Sequence, residues 1–367
     1  MSKRGLKESE KLTLMGRAAG RCELCGNKIY EDSIQKSCLN ISQYAHIVAD
    51  SSNGPRGSEE SDNLATDINN FILLCPECHK LIDSKEGAER FTADVLQAVK
   101  HNHEQMMERL TDIRSMTKST ILVYGAKIDY HDCPISQNEI LDAIIPTHYP
   151  DNNVPVQIMQ ASNGQTEKDA AYWDNEMKFL QYQFDKKIKE RVEHGETTHI
   201  SVFALAPQPL LAALGSMVTD IVSADVYQLH REPRTWRWQE KGEYEIKLIE
   251  PDDKCKKPVL VFALSSNIVE RIKKRYVHDE VSMWIVTIDE PNNDYMKTKE
   301  QISTFRSLTR HALEDINHHA ASGNIDVYMA MSNACAVELG RLKMSKADRK
   351  LNLFDYIDGE DRYALTI

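Results

Sequence analysis

Two periods of hydrophobic patterning divide the chain. From residue 91, FTADVLQAVKHNHEQMMERLTDIR repeats its apolar side chains at the three-and-four spacing of one helix face, so a long helix is expected there. A polar stretch, SMTKST, follows, and then ILVYG at 121–125, an apolar β-branched run that reads as the first strand of a new domain. Beyond it one plan recurs: a short apolar strand runs into a loop of small residues and then into a helix. The clearest instances are ISVFALAPQPLLAALG from Ile200, VLVFALSSNIVERIKK from Val259 and IDVYMAMSNACAVELG from Ile325. Strands alternating with helices predict a parallel sheet with helices packed on it.

The first and last of these segments match each other at an offset of 125 residues. Ser201 meets Asp326, Phe203 meets Tyr328, Leu205 meets Ala330, Leu214 meets Leu339, and Gly215 meets Gly340. The coincident glycines at the two helix ends favour an internal duplication over chance. At 367 residues the chain exceeds what one hydrophobic core usually serves. The expected division is 1–117 and 118–367.

Composition narrows the class. With 41% hydrophobic and 28% charged residues the chain is neither disordered nor fibrous. No apolar run approaches the roughly 20 residues of a membrane-spanning helix, and MSKRGLKESEKLTLMG lacks a signal-peptide core, so a cytoplasmic protein is expected. A net charge of -11 excludes binding nucleic acid by bulk attraction, because that affinity comes from Lys and Arg neutralising phosphates. Any DNA contact must be local.

Four of the eight cysteines form two C-x-x-C pairs, Cys22 with Cys25 and Cys75 with Cys78. Four thiolates on two tight turns suit a tetrahedral structural Zn²⁺. Cys38, Cys133, Cys255 and Cys335 have no such spacing and read as small buried apolar residues. The 49 residues between the knuckles, 26–74, are more than a simple zinc ribbon holds, and they contain His46 and Asn70. His79 follows Cys78 directly. One residue further round a helix points its side chain about 100° away, which frees His79 for a second metal.

On RCELCG, YAHIVADSSNGPRG and NNFILLCPECHKLID, residues 17–115 resemble the HNH endonuclease family, whose ββα-metal fold carries a His, an Asn and a His in this order. The resemblance implies His46 as general base, His79 as a ligand of catalytic Mg²⁺ or a similar ion, and Asn70 as the residue that orients the hairpin or completes the metal shell. Imidazole suits the base role because its unperturbed pKa lies near neutrality. Many family members place Asp before the first His, where this chain has Ala45; Asp50, Asp67 and Asp83 are possible substitutes.

Some 250 residues remain to bind, regulate or assemble. In open α/β sheets ligands sit at the carboxyl ends of strands, where helix N-termini offer N–H groups to phosphate. Gln208 in Ala206–Pro207–Gln208–Pro209, Ser265 and Ser266 in Leu264–Ser265–Ser266–Asn267, and Asn333 after Met331–Ser332 occupy such loops. None is a P-loop or a G-x-G-x-x-G, so neither ATP nor a dinucleotide is indicated. In LHREPRTWRW, Arg234 and Trp236 suit phosphate contact and base stacking, while a hairpin with packed Trp and solvated Arg explains the stretch equally well.

On FALAPQPLLAALG, LHREPRTWRW and MAMSNACAVELGRL, the chain from Ser119 onward looks like a SAVED domain, two fused Rossmann-like halves that sense cyclic oligonucleotides in bacterial anti-phage (CBASS) systems. The order behind an HNH domain resembles the HNH–SAVED effector nucleases. The expected architecture is therefore α/β multidomain: a zinc-stapled ββα-metal domain, then a duplicated Rossmann-like, CARF-like SAVED domain. The resemblance implies a cyclic di- or trinucleotide activator, homo-oligomer formation on ligand binding, and non-specific cleavage of double-stranded DNA. Two other readings stand beside it. One is a restriction-type HNH endonuclease with a C-terminal DNA-recognition domain, and the other a non-catalytic zinc-knuckle regulator.

Overall fold

The computed structural model describes residues 5–31, 36–111, 117–127, 135–145, 147–152, 154–159, 165–169, 171–219 and 222–367. The chain forms two compact units, Met1–Ser115 and Met116–Ile367.

In the first unit, helix α1 (Glu8–Arg17) precedes a two-stranded antiparallel ribbon of β1 (Gln43–His46) and β2 (Phe71–Leu74), paired so that His46 faces Phe71 and Gln43 faces Leu74. Helix α2 (Pro76–Asp83) follows β2 directly. Pro76 at its first position brings a preset φ, and Cys75 caps it by accepting the Cys78 amide on its sulfur at 3.4 Å. The long helix α3 (Ala93–Thr111) lies where periodicity predicts it. Ile47, Ile72, Leu74, Ile82 and Leu96 form the small core. The Cys22–Cys25 knuckle is tied to β2 by the Glu23 amide, which donates to the Leu73 carbonyl at 2.9 Å.

The second unit holds two sheets. The first is wholly parallel. Its central strand β3 (Lys118–Gly125) precedes helix α4 (Gln137–Ile144) and carries short β4 (Tyr149–Pro150) and β5 (Val156–Met159) on one side. After helix α5 (Tyr172–Phe184), β6 (His199–Leu205) pairs with the other side of β3. Helix α6 (Gln208–Val218) then leads to β7 (Ser223–Tyr227), which pairs with β6. A hairpin of β8 (His230–Arg231) and β9 (Arg234–Thr235) and the edge strand β10 (Lys247–Ile249) come next.

The second sheet repeats the plan. Strand β11 (Lys257–Ala263) is followed by helix α7 (Val269–Arg275), β12 (Val281–Thr287), helix α8 (Lys299–His319), β13 (Ile325–Ala330), helix α9 (Asn333–Leu342), β14 (Leu351–Ile357) and β15 (Glu360–Thr366). The order is β10-β12-β11-β13-β14-β15, with β12, β11, β13 and β14 parallel. Those four match β5, β3, β6 and β7 of the first sheet in order and direction, and β6–α6 corresponds to β13–α9 at the offset of 125.

The duplication is visible at the level of atoms. A methyl group placed on Gly215 of α6 would lie 1.9 Å from the Val337 carbonyl oxygen of α9, and one on Gly340 would lie 1.9 Å from the Ala212 carbonyl oxygen of α6. Both pairs, 215 with 340 and 212 with 337, obey the offset of 125 read from the sequence. The two helices cross backbone to backbone at this pseudo-two-fold centre, which only glycine permits.

Cys335 is buried as expected, whereas Cys38 and Cys255 are exposed and form no core; Cys133 lies outside the described residues.

Candidate functional site

The side chains expected of a nuclease gather on the ββα element. His46 ends β1 with its ring tilted over Phe71, centroids 4.2 Å apart. Its Nε2 lies 3.2 Å from the Ala65 carbonyl oxygen. A carbonyl can only accept, so Nε2 is the donor, and Nδ1 is the nitrogen whose lone pair can take a proton.

Asn70 is 2% exposed, and its amide is committed to backbone. Its Oδ1 accepts from the Val48 amide at 2.9 Å, and Nδ2 donates to the Val48 and Leu64 carbonyls at 2.9 and 3.1 Å. Of the two roles expected for Asn70 this geometry is that of orienting the hairpin. It leaves Asn70 no exposed atom for a catalytic ion, so the metal-ligand role assigned from the family pattern is withdrawn.

His79 lies on α2 with Nε2 3.2 Å from Asp83 Oδ2, one turn further on. Asp83 in turn meets Arg56, whose guanidinium spans the site: Nη2 donates to Asp83 Oδ1 at 2.8 Å, Nε to the Ile47 carbonyl at 2.7 Å and Nη1 to the Ile82 carbonyl at 2.7 Å. The Arg56 side chain is only 5% exposed. A cavity of about 480 Å³ is lined by His46, Asp50, Arg56, Phe71, His79 and Asp83 among others.

Of the three carboxylates considered in place of the residue at Ala45, Asp50 and Asp83 face this cavity. Asp67 instead caps a turn by accepting the Asn69 amide at 2.9 Å. Arg56 was not singled out by sequence. Its signal is an Arg at the end of the loop after the first His, in a left-handed turn with φ 56°.

The four knuckle sulfurs lie within 4.8 Å of one another, with Cys25 and Cys75 3.8 Å apart. Zn–S bonds of about 2.3 Å set tetrahedral S–S edges of roughly 3.8 Å, so the donor set and its spacing fit zinc. Burial, and then the neighbouring sulfurs, push the Cys78 thiol up, and burial raises Cys22. Despite burial, hydrogen bonds from the Cys78 amide and the neighbouring thiols hold Cys75 down, and a dication would offset the burial that raises the other two. At the cavity, one imidazole beside carboxylates fits a hard dication that also takes substrate phosphate oxygens.

In the second unit, Gln208, Ser265 and Asn333 meet at the carboxyl ends of β6, β11 and β13. Gln208 Nε2 donates to the Met331 carbonyl at 2.8 Å, the Ser265 amide to Ala330 at 2.8 Å, and Asn333 Nδ2 reaches the Ala204 carbonyl at 3.5 Å. Ser266 is exposed beside them. Gln208 Oε1 is buried without a partner among the described residues.

Trp236 does not belong to this group, which corrects its assignment as a stacking residue. It is 0% exposed and packs edge-on to Phe203 at 5.2 Å in the core beneath α4. Arg234 is exposed on the hairpin, with Nε 3.6 Å from Glu139. The stretch is thus a hairpin with packed Trp and solvated Arg.

Comparison with known proteins follows this division. The model of the SAVED family, the SMODS-associated and fused to various effectors sensor domain, matches residues 180–367, just over half of the chain. That of an HNH endonuclease family matches residues 22–86. No curated protein matches. Among solved structures, the Acinetobacter baumannii Cap4 SAVED/CARF-domain containing receptor with the cyclic trinucleotide 2'3'3'-cAAA is 14% identical with a TM-score of 0.42, covering 84% of this chain and 66% of that one. The same receptor with 3'3'3'-cAAA is 12% identical with a TM-score of 0.40, over 84% and 66%. The Moraxella osloensis Cap4 receptor is 11% identical with a TM-score of 0.38, over 84% and 65%. The chain thus spans just under two thirds of the length of these receptors.

Proposed function

The chain belongs to the SAVED family and carries an HNH endonuclease domain ahead of the sensor, and from that premise we propose that it is an effector nuclease of CBASS-type defence, switched on by a cyclic di- or trinucleotide to cut double-stranded DNA with little sequence preference. One observation carries the nuclease half: His46, His79, Asp83 and Arg56 line one cavity on a ββα element. No described helix is long and apolar enough to cross a membrane, and a cytoplasmic location follows from the role.

Phosphodiester hydrolysis needs a base for water and charge neutralisation at the phosphate. His46 Nδ1 takes the proton from water, its ring held by the Nε2–H bond to Ala65. Asn70 fixes the loop that carries Val48, and Arg56 braces Asp83 against the end of α2. His79, with Asp83 and Asp50, would hold Mg²⁺ or a similar ion, which supplies Lewis acidity at the phosphate. Cys22, Cys25, Cys75 and Cys78 would hold structural zinc.

Gln208, Ser265, Ser266 and Asn333, at the carboxyl ends of the strands, are the residues to which we assign ligand contact, with Arg234 on the hairpin as a further candidate. A constitutive nuclease would destroy its host's genome, so the free protein is off and the ligand favours the active homo-oligomer. Reversal from mostly off to mostly on takes on the order of 5 kcal/mol of differential binding. The restriction-type reading is disfavoured by the net charge of -11, since a DNA-reading domain is basic.

The test incubates the pure protein with plasmid and Mg²⁺, with and without a panel of cyclic oligonucleotides, while light scattering follows mass. One ligand is expected to raise mass and start cleavage together, and His46→Ala to keep its zinc and assembly but lose cleavage. Full cleavage without any ligand would refute the switch; cleavage by His46→Ala would refute the base.

A further inference from the structure

At the opposite end of the first sheet from the ligand loops, three side chains with free lone pairs converge. His148 precedes β4, His199 begins β6, and Asp225 stands on β7. Each offers one ligand atom, and the three atoms lie within 4.8 Å of one another. The two imidazoles stack with centroids 3.9 Å apart and 13° between planes. His148 Nδ1 is buried without a hydrogen bond among the described residues, 3.7 Å from Asp225 Oδ2. Half-exposed Lys299 has its Nζ 3.9 Å from Asp225 Oδ2, and the charges of Lys299 and Arg341 are also felt at His199.

The duplicated half supplies an internal comparison. Ser201 lies opposite Asp225 across β6 and β7, and its counterpart Asp326 lies opposite Asn352 across β13 and β14. There the carboxylate is saturated by donors: Lys257 Nζ at 2.7 Å, Tyr276 Oη at 2.9 Å and Asn352 Nδ2 at 3.0 Å. In the first half Ser201 stands where Asp326 does and Asp225 where Asn352 does, so the carboxylate has moved to the neighbouring strand, and Ser119 stands where Lys257 does. Asp225 instead faces two imidazoles, and a cation would satisfy the three together.

We propose that His148, His199 and Asp225 form a site for a first-row divalent metal of the zinc class, separate from both the thiolate knuckles and the nuclease cavity. Two nitrogens and one carboxylate oxygen are the donors such ions select, with positions left for water. The next shell is in place: His199 Nδ1 lies 2.9 Å from Ser119 Oγ, which lies 2.8 Å from Ser201 Oγ, so the ring is oriented with Nε2 as its metal-facing nitrogen. Closing the cluster to metal–ligand bonds of about 2.0–2.2 Å asks for modest movement of His148 and Asp225, both only partly buried. The bound ion would clamp the segment before β4 onto the amino ends of β6 and β7, and Lys299 would swing to solvent.

The test strips the full chain of metal, reloads it with excess Co²⁺, removes the unbound ion, and compares metal content and visible spectrum with His148→Ala and Asp225→Asn. Cys78→Ala and His79→Ala serve as controls for the other two sites. Both site variants are expected to lose one equivalent of metal and an absorption free of thiolate charge transfer; Cys78→Ala loses the thiolate charge-transfer band instead, and His148→Ala combined with His79→Ala loses one equivalent more than either change alone. Hydrogen exchange of the unmutated chain should slow over 147–149 and 199–201 when Co²⁺ is added, a readout that survives misfolding of any variant. Equal metal content in the chain and both variants, or no metal-dependent protection at these segments, would overturn the site.

Discussion

Arg56→Ala is the sharpest probe of the nuclease unit. The guanidinium makes three bonds of 2.7–2.8 Å, to Ile47, Ile82 and Asp83, from a side chain that is 5% exposed. Hydrogen bonds involving a charged group contribute about 1.5–3 kcal/mol each, and their sum is an upper bound because the three share one group. Water entering the cavity re-solvates part of what is lost, which brings the expected cost to about 3–5 kcal/mol. With a urea slope of about 1–3 kcal/mol per molar, the unfolding midpoint of this unit should fall by roughly 2 M. Zinc release reports on this unit. Tryptophan fluorescence reports on the other, because all four tryptophans lie beyond residue 116. Arg56→Ala should therefore release zinc at much lower urea, leave the fluorescence transition unmoved, and lose cleavage as Asp83 and His79 lose their brace. Arg56→Lys, charged but without the planar fork, should fall between. A zinc-release midpoint within about 0.5 M of the unmutated chain, with cleavage intact, would refute the bracing role.

Cys78→Ala should abolish zinc binding and unfold the first unit outright, since metal affinity there is folding free energy, and a soluble variant with full activity would contradict the staple. Gly340→Ala should destabilise the second unit by about 2 kcal/mol despite alanine's better helix propensity, because its methyl would lie 1.9 Å from the Ala212 carbonyl oxygen; an unchanged fluorescence midpoint would show that the helices separate freely. Burial, reinforced by Glu167 and Asp361, raises Asp355 from 3.8 to about 6. The folded state therefore holds this proton more tightly, and stability falls as pH rises between those values, with the full penalty present above about 6. Asp355→Asn should stabilise the second unit by about 1–3 kcal/mol at pH 7.5 and by nothing at pH 3.5, and a gain that is the same at both would exclude the carboxylate as its source.

What can be read from the sequence depends on how local the cause is. The convergence of the four knuckle cysteines, and of His46 with His79 on one cavity, is legible because metal and acid–base chemistry admit few residue types at few spacings. The duplication is legible because two glycines at one offset mark one contact seen from both sides. Arg56 is not, since its role depends on a side chain reaching 26 residues onward to Ile82. Trp236 misleads for a related reason: an Arg- and Trp-rich stretch has the composition of a nucleotide grip, and only Phe203, brought alongside by β6, decides which face is inside. Asn70 is legible as a site residue, but its two roles separate only when Val48 and Leu64 are found on its amide. The His148 cluster joins three distant segments and leaves no spacing to notice.

The crossing of α6 and α9 has a mechanical consequence. Helices usually meet through layers of side chains, which absorb small displacements by changing rotamer. Here each glycine lies against the other helix's carbonyl, and peptide groups have no rotamers to yield. Sliding either helix along its axis drives Gly215 or Gly340 into the opposite backbone, so the two behave as meshed teeth. A push at the amino end of one helix, beside Gln208 or Asn333, is handed to the other half of the unit undamped, and the two halves answer it as a single part.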